Sequence, residues 1–174
     1  MLVDISDVVS VENREVTKEV LFGHDSFRSR LGEFPITKKT PITLRIANRE
    51  NKRLLISGEV AMTVRIPCNR CLEDVETDIR FTIDKELTTD GAEINDGETE
   101  AADYLSGVWL DTDKLIYGEI LVHWPMKVLC REDCRGICRV CGMNLNKGDC
   151  GCPKTEPDPR MAAIQDVFSK FKEV

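Results

Sequence analysis

The chain has 174 residues, of which 41% are hydrophobic but only 6% aromatic, so its core must rest on Ile, Val and Leu. No apolar run approaches the roughly 18 residues of a membrane-spanning helix. The acidic N-terminal stretch lacks the basic start and apolar run of a secretory leader, which predicts a cytoplasmic protein with reduced thiols. The net charge of −7 is segregated along the chain: residues 28–70 carry ten basic and three acidic side chains, and residues 71–122 carry three basic and fifteen acidic ones. Either one face attracts nucleic acid while another repels it, or the basic side chains simply cover the solvent face of a sheet.

In chain order, Val16, Lys18 and Val20 alternate with Thr17 and Glu19, predicting a strand near 14–22. Phe34-Pro35 reads as a small linker, 42–46 as a strand, and Asn48 to Lys52 as a polar turn. The clearest strand follows, with Ile56, Gly58, Val60, Met62, Val64 and Ile66 on one face; Pro67 stops it. A second alternating run places Val75, Thr77, Ile79, Phe81 and Ile83 on one face. The two runs predict an antiparallel hairpin with Cys68 and Cys71 at its turn, one face buried and one wet.

Residues 88–107, rich in Gly, Asp, Glu, Asn and Thr, read as an acidic loop. Asp111 is placed to cap a helix over 112–123 with Leu115, Ile116, Ile120 and Leu121 inward, and Trp124-Pro125 ends it. A cysteine-rich segment occupies 130–152. Asp158-Pro159-Arg160 then opens a terminal helix whose apolar stripe runs from Met161 to Phe171. Strands first and helices later predict an α+β fold. Its body (1–123) is an antiparallel β-sheet, open or barrel-like, and its second part (124–174) is a Cys-rich zinc ribbon with the terminal helix.

Eight cysteines in a reducing compartment call for a metal rather than disulfides. Cys138-Arg-Val-Cys141-Gly142 is a turn that aims two sulfurs at one point, with a glycine suited to positive φ after it, and Cys150-Gly-Cys152 supplies a second pair. Cys68, Cys71, Cys130 and Cys134 remain, the number a second tetrahedral site requires. Eight ligands divide into two fours in several ways. The sequential division closes the shorter loops; a crossed one, joining Cys68 and Cys71 to Cys138 and Cys141, is the alternative. Two structural zinc ions are predicted, since all-cysteine sites leave no open position for catalysis. Iron is the competing metal, although the spacing departs from the usual ferredoxin runs. The neighbouring basic residues Lys127, Arg131, Arg135, Arg139 and Lys147 either offset thiolate charge or bond phosphate. Arg65, Arg70, Arg131, Arg135 and Arg139 are the candidate contacts to nucleic acid or a partner. No phosphate loop, nucleophile elbow, Ser/His/Asp or Cys/His arrangement is legible, so neither catalysis nor a small-molecule substrate is indicated.

The ordered string of Cys68-Asn-Arg-Cys71-Leu-Glu, Trp-Pro-Met-Lys-Val-Leu-Cys130, Asp133-Cys134-Arg-Gly-Ile-Cys138-Arg-Val-Cys141-Gly-Met-Asn-Leu-Asn146, Cys150-x-Cys152 and Asp158-Pro159-Arg160 resembles the bacterial YceD-like family of large ribosomal RNA subunit accumulation proteins. The resemblance covers about residues 14–172. It implies a cytoplasmic, non-enzymatic factor required for normal levels of large-subunit ribosomal RNA, which binds ribosomal RNA or an assembly partner. It carries no catalytic residue. It also implies that the cysteines are not universal, since some members lack most of them. A zinc- or redox-responsive regulator is the alternative that the thiols raise on their own.

Overall fold

The computed structural model describes residues 1–49, 53–90, 93–95 and 103–153. Ten strands are named here in chain order. They are β1 (Leu2–Asp4), β2 (Glu15–Val20), β3 (Ser26–Ser29), β4 (Gly32–Lys39), β5 (Ile42–Arg49), β6 (Arg53–Pro67), β7 (Asp74–Asp90), β8 (Glu93–Asn95), β9 (Leu105–Ser106) and β10 (Trp109–Asp111). Helices α1 (Ser6–Val9) and α2 (Thr112–Val122) complete the set.

The period-2 patterning explains the central hairpin. Leu54, Ile56, Val60, Met62, Val64 and Ile66 of β6 are buried, and so are Ile79, Phe81, Ile83 and Leu87 of β7. The two strands pair antiparallel without a register break, from Arg53↔Thr88 to Pro67↔Asp74. On its other edge β6 divides its length between two partners: β5 opposite residues 53–58 and β4 opposite residues 62–64. Gly58 stands where the partner changes. A Cβ there would lie 2.8 Å from Leu44 Cδ2 and 3.0 Å from the Thr43 carbonyl, so the close approach of β5 requires glycine. Strand β2 adds to β5 and β3 to β4, giving a seven-stranded antiparallel sheet that is open rather than a barrel.

One face of the sheet is covered by α2, through Leu115, Ile116 and Ile120, and by Val3, Ile5, Val8 and Leu110 from a small second sheet and α1. Asp111 caps α2 as expected, accepting from the Asp113 and Lys114 amides. Trp124, just past the helix, packs its ring 4.8 Å from both Phe27 and Phe34.

Several expectations are corrected. Phe34-Pro35 lies inside β4 because Phe34 is a core residue under Trp124, and the Pro35 position at a paired edge needs no amide donor. Asn48 belongs to β5 and is buried, its Nδ2 donating to the Val8 and Val9 carbonyls at the end of α1. The acidic loop begins later than expected: β7 runs on to Asp90 and pairs with β8, and β9 forms at 105–106. Leu121 is 47% exposed, because the apolar stripe of α2 is filled by Leu115, Ile116 and Ile120. The expected terminal helix lies outside the described residues.

Five of the ten basic side chains of residues 28–70 pair with carboxylates on folding. Arg45 and Arg49 pair with Glu15, Arg53 with Glu86, Arg28 with Glu33 and Lys39 with Asp25. Antiparallel pairing sets basic strands beside acidic ones, and cross-strand ion pairs follow.

Candidate metal centres

The eight cysteines gather into two groups of four in the sequential arrangement: Cys68, Cys71, Cys130 and Cys134 in one, Cys138, Cys141, Cys150 and Cys152 in the other. Within each group the sulfurs all lie within 4.8 Å of one another. Cys68 and Cys134 are 3.8 Å apart at sulfur, and Cys71 and Cys130 are 3.5 Å apart. Four thiolates about 2.3 Å from a tetrahedral zinc would stand about 3.8 Å apart. The donor sets therefore fit a thiophilic metal, and none of the eight cysteines is in a disulfide. Each group could hold one ion.

The two Cys-x2-Cys turns are built alike. In the first, the Cys68 amide donates to the Glu73 carbonyl, the Leu72 amide to the Cys68 carbonyl and the Arg70 amide to the Cys68 sulfur. In the second, the Cys138 amide donates to Met143, the Gly142 amide to Cys138 and the Val140 amide to the Cys138 sulfur. Both turns end on a left-handed residue, Leu72 at φ 61° and Gly142 at φ 73°. The positive-φ signal read at Gly142 is carried at the other turn by a leucine, which is why spacing alone concealed the repeat.

The residues between the first two cysteines do the joining. Asn69 donates its amide to the Val128 carbonyl and accepts the Val128 amide at its side chain, which brings the stretch before Cys130 beside the hairpin. Arg70 donates from Nη1 to the Cys134 carbonyl, and its own carbonyl accepts the Ile137 amide. Gly136, at φ 77°, lies against that carbonyl; a Cβ would come within 3.0 Å of it. Lys147 reaches Glu73 at 2.7 Å. That ion pair holds the Glu73 carboxyl below its ordinary range and raises the Lys147 ammonium.

Asn146 is a site residue that sequence reasoning missed. Its Nδ2 donates to the Cys134 sulfur at 3.2 Å, and its Oδ1 accepts from both the Arg135 amide and Arg131 Nη2 at 2.8 Å. The bond pattern of a ligand's neighbour leaves no spacing signature.

The proton distribution within each group would suit a cation. Burial pushes the Cys68 thiol up, but the Cys71, Arg70 and Cys130 amides outweigh it and bring the group down to about 6. The Cys141 and Val140 amides, with the Cys150 thiol, bring Cys138 down to about 6 as well. Their neighbours go the other way: Cys130, bonded to Cys71, and Cys152, bonded to Cys141, are each pushed up to about 12. Clustered thiols cannot all ionise against one another; a divalent ion removes that repulsion.

Of the candidate contact arginines, Arg70, Arg131 and Arg135 have internal partners, the last two pairing with Asp133 and Asp149. The Arg65 and Arg139 side chains are exposed and make no hydrogen bond or ion pair with a described residue. His123 caps α2, its Nδ1 3.0 Å from the Glu119 carbonyl and its ring stacked on Phe81, so it is a packing residue. No described helix is long and apolar enough to cross a membrane.

The family model described as large ribosomal RNA subunit accumulation protein YceD matches residues 56–168. A chloroplastic protein of Arabidopsis thaliana, named as a YCED homolog 1 of that description, is 30% identical across 77% of this chain and 50% of its own length. An uncharacterized protein of Mycobacterium leprae is 26% identical across 67% of this chain and 54% of its own, and one of Mycobacterium bovis is 25% identical across 66% and 56%. The chain thus spans about half the length of the curated relatives it matches. No solved structure matches it.

Proposed function

The chain belongs to the YceD family of large ribosomal RNA subunit accumulation proteins, and from that premise we propose that it is a non-enzymatic factor for accumulation of large-subunit ribosomal RNA. It acts by binding that RNA or a large-subunit assembly partner, in the cytoplasm. Two zinc ions, one per cysteine group, organise the binding end. The observation that carries this reading is the clamp at the hairpin tip, where ligands from positions 68 and 71 meet ligands from 130 and 134. It joins the tip of the sheet to the segment that carries Cys130 and Cys134, and the Arg65 and Arg139 side chains stay exposed without described partners. Closed four-thiolate sites supply rigidity and no activated water.

Depletion of the protein, followed by measurement of large- and small-subunit RNA, tests the proposal. A falling large-to-small ratio is expected, and complementation by Arg65→Glu/Arg139→Glu should restore it poorly at normal protein levels. An unchanged ratio on depletion overturns it.

One observation favours a second reading, a zinc- or redox-responsive regulator. Of the group at Cys138, Cys141, Cys150 and Cys152, Cys141 is exposed and the others are half-buried, whereas Cys68, Cys71 and Cys134 are buried. Metal loss from the exposed group on mild oxidation, reversed by thiol, would support it.

A further inference from the structure

Strand β7 forms one long edge of the sheet. It pairs with β6 along its whole length, and β8 covers its outer side only at Thr88–Asp90. From Asp74 to Leu87, no described residue hydrogen-bonds to that outer edge. Which amides it presents follows from the ladder. The Ala61 carbonyl accepts from Thr40 and the Thr63 carbonyl from Thr37, so odd-numbered β6 residues turn their backbone toward β4 and β5. The unbroken register sets Ala61 opposite Arg80, so even-numbered β7 residues turn their N–H and C=O away from β6. Glu76, Asp78, Arg80, Thr82, Asp84 and Glu86 thus present a row of backbone donors and acceptors without described partners, roughly 33 Å long.

The edge lacks the backbone devices that blunt such a template, and only its charged side chains guard it. It has no proline, no bulge and no short length, whereas the opposite edge strand β2 has six residues. The side chains that flank it alternate. On the wet face Glu76, Asp78, Asp84 and Glu86 stand with Arg80 as the one cation; on the other face Ile79, Phe81 and Ile83 are buried. Of these carboxylates, Asp78 accepts from Thr63 and Glu86 pairs with Arg53, while Glu76 and Asp84 have no described partner. Carboxylates in this register repel a second copy of the same strand and RNA alike. They attract a strand with basic side chains at alternate positions.

We infer that the outer edge of β7 accepts an extended Lys/Arg-rich polypeptide segment by strand addition. Main-chain bonds to the even-numbered residues give affinity. Alternate cations over Glu76 and Asp84, with apolar residues beside Ile79, Phe81 and Ile83, give selectivity. The inference rests on the sheet alone and stands apart from the metal and RNA reading.

The test uses the full chain and a labelled peptide of about twelve residues alternating Lys and Val, long enough to span the edge. In the free protein, hydrogen exchange at Glu76, Asp78, Arg80, Thr82, Asp84 and Glu86 should be fast, and slow at Thr77, Ile79, Phe81, Ile83 and Lys85. Saturating peptide should slow the even-numbered set selectively. Thr82→Pro removes an outward amide that β6 does not use and should weaken binding about tenfold, the loss of one or two hydrogen bonds. Glu76→Lys/Asp84→Lys should weaken it further, and an alternating Glu/Val peptide should not bind. Three results overturn the inference. Peptide binding without even-numbered protection means surface attraction only. Even-numbered protection in the free protein at all concentrations means that the chain covers its own edge. Protection that grows with protein concentration alone means that a second copy occupies it.

Discussion

The two cysteine groups share a turn design and differ in everything around it. The first draws ligands from segments 59 to 66 residues apart, and three of its four cysteines are buried. The second draws all four from positions 138–152, and none of its cysteines is fully buried. Closing a long loop removes more entropy from the unfolded chain than closing a short one, so a metal at the first group stabilises the whole fold more. The same chemistry thus makes a clamp between distant parts in one place and a local scaffold in the other.

The largest expected effect follows from breaking the clamp. Cys68→Ser or Cys71→Ser should cost several kcal/mol and lower the cooperative unfolding transition of the entire protein, because binding energy at such sites is largely folding energy. Cys138→Ser or Cys141→Ser should cost a comparable amount locally but leave hydrogen-exchange protection of β6 and β7 near that of the parent. Equal loss of sheet protection from both pairs of variants would erase the distinction between clamp and scaffold.

A second expectation concerns acid. Cys68 and Cys138, lowered to about 6, would supply thiolate to a metal at neutral pH. A depressed thiol pKa favours the folded state above the ordinary thiol range, and the benefit is lost as pH falls through about 6. Bound metal should therefore be lost in acid, with the more exposed group emptying first. A chromogenic chelator titrated from pH 8 to 4 reads both steps; a single step would mean that the groups respond as one.

Asn146 connects the groups, standing four residues before Cys150 while bonding the Cys134 sulfur of the other centre. Asn146→Ala strips Cys134 and the Arg135 amide of partners and should cost about 1–3 kcal/mol. It should also speed metal release from the first group, measured as chelator-dependent loss rate. An unchanged rate would mean that the Asn146 contacts do not hold the metal.

How much of this was legible in the sequence depends on the range of the forces involved. The β6–β7 hairpin and the capped helix α2 were readable because alternation and an N-cap are local signals. The sequential grouping of the cysteines was favoured by loop entropy, but the crossed arrangement stayed open until Asn69 was seen paired with Val128. The placement of Phe34-Pro35 in a strand was hidden because it depends on Trp124, ninety residues later. The partial neutralisation of the basic block was hidden likewise, since only strand order reveals that Arg45 and Arg49 meet Glu15.

The smallest expected effect tests the likeness of the two turns most directly. Leu72 holds the left-handed conformation that Gly142 holds in the second turn, and its side chain is 63% exposed. A non-glycine residue pays about 1 kcal/mol for that conformation, while glycine gains entropy in the unfolded chain and returns part of the advantage. Little buried surface is lost, so Leu72→Gly should stabilise the metal-loaded protein by about 0.5 kcal/mol, read as a small rise in the denaturant midpoint. Gly142→Leu should cost about 1 kcal/mol by the same account. If Leu72→Gly instead destabilises, the exposed leucine has a packing partner, and the two turns are alike only in their backbone.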